Sequence, residues 1–366
     1  MQIRLTGIVV LLLAMPIQAA EQNNGGEKLH FDRQEVAHRF GTTQNAQFLP
    51  KTAINSEAVP DYTLQEFDSA DAVLPYYQLA DNTYFFFGNI AEVDENNRGW
   101  NGNAGFVVTP EGVVVIDSLG TPKLGQRMIA TIRSITDQPI KYLIITHNHP
   151  DHAYGAVAFS YLPGVTIIGH QDILKYLNSD RIEHSVAYRE TFIASDMAGF
   201  KAIRPDILVD VPLYGKITIK LGKDAFDIYN VGAQHSYGDL IVHQRNENIV
   251  WVADLVFNNR VTFMADGNSK LAIAGQEWLL KNFAGVSLVV PGHGSAQTKP
   301  FPMVEKTRSY MARLRRVMAR EIEAGVDLQD AVSKADFADW KAVRLYDLNQ
   351  RANANFVYRE MEEVVF

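Results

Sequence analysis

The apolar residues of this chain come mostly as short, β-branched runs broken by turn residues, and in a few places at the spacing of a helix. From Tyr84-Phe85-Phe86-Phe87 onward the pattern is strand-rich. The runs Gly105-Phe106-Val107-Val108-Thr109 and Val113-Val114-Val115-Ile116-Asp117 flank Pro110-Glu111-Gly112 and predict a hairpin, two β-branched runs about a turn. Thr121 followed by Pro122 predicts a helix over 122–136, with the hydroxyl as N-cap and the proline where no amide is needed. Further strands are expected over 140–145, 165–168, 216–220, 225–231, 240–243, 248–253 and 286–290. Residues 178–211 depart from this rhythm. They are mixed and polar with a helical piece over 180–194, and read as an insertion after a helix at 171–177. Past residue 293 the period changes. Val304, Met311, Leu314, Met318 and Ile322, spaced seven, three, four and four apart, mark one face of a helix. Leu345, Leu348, Ala352, Phe356 and Val357 mark a second apolar face. The pattern fits one α+β domain over 61–366, layered helix–sheet–sheet–helix.

The N-terminal end stands apart. Arg4, the apolar stretch 5–17 and Gln18-Ala19-Ala20 have the order of a secretory signal, so residues 1–20 are expected to be removed near Ala19 or Ala20, giving a periplasmic or secreted protein. The apolar run is too short, and too quickly followed by Glu21-Gln22-Asn23-Asn24, for stable membrane insertion. Residues 21–60 read as a polar leader, with a short helix near 34–40. The chain holds no cysteine, which removes thiolates from the candidate ligands and nucleophiles. Its net charge of −8, and −9 once Arg4 is lost with the signal, argues against nucleic acid as a partner. Arg313-Leu314-Arg315-Arg316 is followed closely by Glu321 and Glu323 and reads as a solvated helix face.

The chemistry is concentrated in Thr146-His147-Asn148-His149-Pro150-Asp151-His152, where four candidate metal ligands fall within six residues at the end of an expected strand. Imidazole nitrogens and a carboxylate on a short loop at a sheet edge suit Zn²⁺ and similar ions.

This His-x-His-x-Asp-His loop resembles the signature of the metallo-β-lactamase-fold hydrolases. The resemblance demands a further His, an Asp and a last His in that order, each just after a strand. His235, Asp254 and His293 answer it, each behind an expected strand. The resemblance covers roughly 82–294 and implies the four-layer αββα sandwich with the ligand loops along one edge.

What it implies for the site is specific. His147, His149 and His235 would hold one ion, Asp151, His152 and His293 a second, and Asp254 would bridge two Zn²⁺, with iron or manganese as alternatives. A bridging hydroxide would attack an ester-, lactone-, amide- or phosphate/sulfate-type bond of a small molecule, with Asp151 also accepting a proton from the water. Asp117 is expected to support the metal loop and Asp239 to fix the loop of His235. Arg98 and Trp100, in the Gly/Asn-rich stretch 95–103, and Asn258 are candidate substrate contacts, and the neighbouring Asn259 and Arg260 admit the same reading. Within the superfamily, the exported chain with its His-Pro-Asp-His-Ala-Tyr-Gly stretch looks like the quinoprotein relay-system metallohydrolases. A β-lactamase, a glyoxalase II-like thioesterase and an iron-dependent persulfide dioxygenase-like enzyme are the rival readings. A flavodiiron protein would need a flavodoxin domain for which no room follows His293, and a dead scaffold would lack ligands that are all present here.

Overall fold

A computed structural model of the chain describes residues 53–66 and 68–365. The expected signal segment and the expected helix near 34–40 lie outside them. Two sheets lie face to face. The first runs β1(Tyr77–Ala80), β2(Thr83–Phe86), β3(Ala104–Thr109), β4(Gly112–Ile116), β5(Ile140–Ile144), β6(Thr166–His170) and β7(Ile207–Val209), in that spatial order. It is antiparallel through β4 and parallel from β4 to β7. The second comprises β8(Lys216–Leu221), β9(Asp224–Gly232), β10(Asp239–Gln244), β11(Ile249–Phe257) and β12(Leu288–His293), in the spatial order β12-β11-β10-β9-β8.

The layering follows from the period of two in a strand, which sends alternate side chains to opposite faces. In β4, Val114 and Ile116 enter the core between the sheets, whereas Val113 and Val115 face outward into a second core. That outer core is filled by α1(Pro122–Ile135) and α3(Ala156–Ser160). In β11, Ile249 and Trp251 point inward, and Val250 and Val252 pack outward under α6(Ser269–Asn282) and the start of α7(Pro302–Glu323). Both sheets are therefore covered on both sides, which is why their strands read as unbroken apolar runs. Trp251 of the second sheet lies over Gly105 of the first, with room there for no side chain.

The remaining helices are α2(Pro150–Ala153), α4(Ile173–Leu177), α5(Arg181–Met197), α8(Leu328–Lys334) and α9(Tyr346–Val365). The α1 N-cap is as expected, Leu124 N donating to Thr121 Oγ1 at 3.1 Å. Three expectations need correction. The stretch 178–211 is not wholly an insertion outside the sandwich, since its Ile207–Val209 pairs with β6 as the edge of the first sheet. The apolar face assigned to the last helix is also rotated. Leu348 is half exposed, and the buried side of α9 carries Asn349, Gln350, Asn353, Ala354, Val357 and Tyr358. Finally, β1, α6 and α8 have no counterpart among the elements expected from the pattern. Among the described residues no helix is long and apolar enough to cross a membrane.

Candidate metal centre

Seven side chains converge where strands end along one edge of the sandwich. His147, His149, Asp151 and His152 follow β5, and Asp151 and His152 lie on the single turn of α2. His235 follows β9, Asp254 lies within β11, and His293 closes β12. Two groups form, His147/His149/His235/Asp254 and Asp151/His152/His293, and within each the ligand-type atoms lie within 4.8 Å of one another. Asp254 stands between them. Its Oδ2 is 3.1 Å from His235 Nε2 and 3.1 Å from His293 Nε2, and its Oδ1 is 3.3 Å from His152 Nε2.

Every imidazole is held by its outer nitrogen, which fixes the tautomer and leaves the inner nitrogen free to bind. His147 Nδ1 meets Thr146 Oγ1 at 3.0 Å, His149 Nε2 meets Asp266 Oδ2 at 3.1 Å, and His152 Nδ1 meets Asp117 Oδ2 at 2.9 Å. His235 Nδ1 faces the Phe263 carbonyl at 3.0 Å, and His293 Nδ1 the Asn101 carbonyl at 2.7 Å. The inner atoms are correspondingly short of partners. His147 Nε2, His152 Nε2 and Asp254 Oδ1 are buried with no hydrogen bond. With its outer nitrogen protonated, His235 offers a lone pair at Nε2 that faces His149 Nδ1 at only 2.8 Å. Two lone pairs so close repel unless a cation lies between them. The donor set therefore fits divalent metal ions.

The backbone is bent to make this arrangement. Ala253 has φ +45° and Asp117 φ +59°, the left-handed region that costs a side-chain-bearing residue free energy and is sustained only by its surroundings. The pairing of β11 with β12 shifts register on either side of Ala253 and so turns the Asp254 carboxylate into the cluster. Gly292 on β12 makes room for it, since a Cβ there would lie 1.8 Å from Asp254 Oδ1. Asp239 fixes the His235 loop as expected, its Oδ2 accepting from the amides of Gln234 and His235 at 2.8 and 2.7 Å.

The electrostatics keep the carboxylates ionised. Burial alone would raise the Asp254 pKa, but His293, His152 and His235 outweigh it and hold it well below the usual range. Asp151, likewise opposed by burial, is drawn down to about 2 by His152 and His293. Burial, with the His152 charge behind it, pushes His147 well below the ordinary histidine value. Solvent reaches the ligands through His149 and Asp151, whose side chains are 12% and 13% exposed, against 4% or less for the other five.

The three expected substrate contacts do not line this opening. Arg98 is buried in an ion pair with Asp196, hydrogen-bonded as well to Ser195 Oγ. Trp100 is fully buried, its ring stacked on Tyr62 at 4.5 Å. Asn258 is buried and donates to the Ser295 carbonyl and hydroxyl at 3.0 Å. The 95–103 loop does reach the centre, but through the Asn101 carbonyl and through Gly102, where a Cβ would lie 3.0 Å from His152 Nε2. Sequence reasoning missed Arg189 and Asp266, and it offered Arg260 as a substrate contact without showing that it lies against a ligand. Asp266 holds His149, Arg260 Nη1 lies 3.1 Å from His293 Nδ1, and Arg189 adds to the field that keeps Asp151 ionised.

Comparison with known proteins agrees with this geometry. The model of the metallo-beta-lactamase superfamily matches residues 97–297, more than half of the chain. The chain belongs to the metallo-β-lactamase superfamily, and the matched region holds the whole His/Asp cluster. A linear primary-alkylsulfatase from Pseudomonas sp. is 38% identical over 53 residues, which are 14% of this chain and only 10% of that protein. Among solved structures, a metallo-beta-lactamase from Pontibacter korlensis overlays with a TM-score of 0.52 at 18% identity, covering 65% of this chain and 98% of its own. A stereoselective inverting sec-alkylsulfatase from Pseudomonas sp. overlays with a TM-score of 0.65 at 12% identity, covering 89% of this chain. The chain spans 61% of that enzyme's length.

Asp117 offers a direct test of how the centre is built. One carboxylate oxygen accepts from Thr146 N at 2.8 Å, and the other accepts from Thr146 Oγ1 and His152 Nδ1 at 2.9 Å each. In Asp117→Asn the amide nitrogen would face His152 Nδ1, moving the imidazole proton to Nε2, where it blocks the ligand position. Metal affinity should fall about 10–100-fold, measured by chelator competition. Affinity equal to wild type would mean that Asp117 does not set the His152 tautomer.

Proposed function

We propose that this chain is an exported, dinuclear, zinc-dependent hydrolase whose substrate is a small anionic ester, a sulfate ester foremost. Five imidazoles and two carboxylates in two adjoining sets suit two Zn²⁺, Asp254 bridging them. When bound, the ions supply an acidified water and stabilise the oxygen that gains negative charge. The chain's own residues do the rest. Asp151, solvent-touched and ionised, is positioned to accept a proton from the attacking water. The imidazoles keep their outer nitrogens engaged, which aims the inner ones at the ion sites.

The observation that carries the substrate class is a pair of buried cations. Arg189 and Arg260 are 5% and 8% exposed, yet among the described residues no carboxylate oxygen lies within 4.0 Å of either. Other buried arginines of this chain are paired, Arg98 with Asp196 and Arg127 with Asp68 at 3.2 Å. A buried guanidinium without a counter-ion is costly, and a sulfate group entering beside Asp151 would supply one with matched geometry. Glu92 is the one further carboxylate that feels both guanidiniums, and burial raises its pKa. The likeness to two alkylsulfatases supports the same class. Hydrolysis then consumes one water and yields an alcohol and sulfate.

The metal-loaded chain should cleave an alkyl sulfate when set against a β-lactam, a lactone, a thioester and a phosphodiester. Arg189→Met should lower kcat/KM for the sulfate about 10–100-fold, the worth of one or two charge-assisted hydrogen bonds, with metal content unchanged. Turnover of the β-lactam or thioester without the sulfate would sink the anionic reading, and oxygen uptake with a persulfide would move the chain to iron chemistry.

Asp254 decides between one ion and two. Two cations in adjoining sets repel, and Asp254 is the carboxylate that faces both. Asp254→Ala should lower metal content from near two per chain toward one, the loss falling on the set of Asp151, His152 and His293, which has fewer imidazoles. Elemental analysis reads this directly, and a wild-type chain saturating at one ion would refute the bridge.

Export belongs to the same reading. The mature protein should begin at Ala20 or Glu21, and mass spectrometry finding Met1 on exported material would contradict it.

A further inference from the structure

The strap of residues 258–266, which follows β11, touches three of the five imidazoles from outside. Arg260 lies at His293, the Phe263 carbonyl accepts from His235, and Asp266 accepts from His149. The strap belongs to neither sheet. Apart from the isolated bridge between Arg260 and Arg344, its backbone partners come largely from the C-terminal helices and the turn before them. Val261 N donates to the Arg344 carbonyl at 2.9 Å, and Asn349 Nδ2 donates to the Val261 carbonyl at 3.3 Å.

Asn353 of α9 makes the tightest grip. It is fully buried. Its Nδ2 donates to the Thr262 carbonyl at 2.7 Å, and its Oδ1 accepts from Met264 N at 3.0 Å. The second Nδ2 proton goes to Tyr310 Oη at 3.1 Å, and Tyr310 in turn donates to Gln350 Oε1 at 2.6 Å. One side-chain amide thus brackets Phe263 on both sides and fixes the plane of the peptide whose oxygen orients His235. An amide is the group for this task because it donates and accepts at once in a fixed geometry. All its bonds are satisfied, so the strap has no alternative partner to swing toward.

We infer that Asn353 is a positioning residue for the metal centre, acting through the Phe263 carbonyl on His235 and so on the three-histidine set, and leaving the set of Asp151, His152 and His293 to other supports. Those supports do not pass through the Phe263 peptide, since His152 is held by Asp117 and His293 by Asn101 with Arg260 beside it. The inference rests on reading the two groups as metal ligands.

The test separates the sets in the full-length chain. His293→Ala leaves the three-histidine set, and His147→Ala leaves the other. Zinc affinity is measured in each background by chelator competition. Asn353→Asp, which loses both donors and sets a carboxylate against the Thr262 carbonyl, should weaken zinc about 10–100-fold in the first background and less than about threefold in the second. Asn353→Ala carries the same expectation and stands in if the aspartate variant does not fold. Val357→Ala, which removes volume from the same helical core but none of the strap's hydrogen bonds, should leave both affinities at their starting values. Equal weakening in both backgrounds, or none in either, overturns the clamp. So does a Val357→Ala effect as large as that of Asn353→Asp, because destabilisation alone would then explain the loss. If the unsubstituted chain takes up no zinc, the metal centre itself fails before any Asn353 variant is made, and the clamp falls with it.

Discussion

A carboxylate sits where a folded chain least favours one, fully enclosed among imidazoles, and much of this molecule is arranged around that fact. Asp254 is buried, and among the described residues no arginine or lysine forms an ion pair with it. An ion so buried is tolerated only when its lone pairs meet positive charge or ordered donors. Here those partners are imidazole nitrogens from three separate strand ends, so the carboxylate ties β5, β9 and β12 together at one point. The left-handed Ala253 before it and the missing side chain at Gly292 beside it are local departures from regular sheet. Neither improves packing. Both are explained by the need to bring one charge to one place.

The ligands were legible in the sequence because all but Asp254, which lies inside β11, sit at or just past a strand end, and the apolar runs announce the strands. Once the His147 loop is recognised, three further residues behind expected strands have no other common role. What surrounds them was not legible, for a physical reason. Polarity along a sequence predicts exposure only on average, and this protein buries a polar layer around its site. The Gly/Asn-rich stretch 95–103 reads as open surface, yet Arg98 and Trp100 are enclosed and the contact to the centre is a backbone carbonyl, which no side-chain pattern reports. The face of α9 was misjudged in the same way, since its apolar spacing suggested Leu348 inside, whereas asparagines occupy the buried side. Arg189 carried no motif and became a candidate only when its burial without a carboxylate partner could be seen, and Arg260, already offered beside Asn258, gained weight on the same ground.

The C-terminal helices enter the same logic. The sec-alkylsulfatase likeness covers 89% of the chain, more residues than the 301 that precede Pro302, so it takes in at least part of the region α7–α9. The β-lactamase likeness covers 65% of this chain while using 98% of its own. A bare sandwich of that size is therefore enough to make the fold. In this chain the helices form a separate apolar core whose members include Val261 and Met264 of the strap, so the strap is packed into the helices as well as hydrogen-bonded to them.

The choice of outer partners divides along the same two groups. In the three-histidine set, His149 is held by the carboxylate of Asp266, while His147 and His235 are held by a hydroxyl and a carbonyl. In the other set, His152 is held by the carboxylate of Asp117 and His293 by a carbonyl. Each set thus has one imidazole made more basic by an anion and the rest oriented by neutral dipoles. Counted with Asp151 and Asp254, four carboxylates surround the cluster, the charge that two divalent cations would balance. Without ions, the balance falls to Arg181 on Asp266 and to His152, whose pKa burial would lower but Asp254, Asp151 and Asp117 raise well above the ordinary value. The neutral partners are what keep the count at four. Backbone oxygens at His235 and His293 orient those imidazoles without adding a further charge to the cluster.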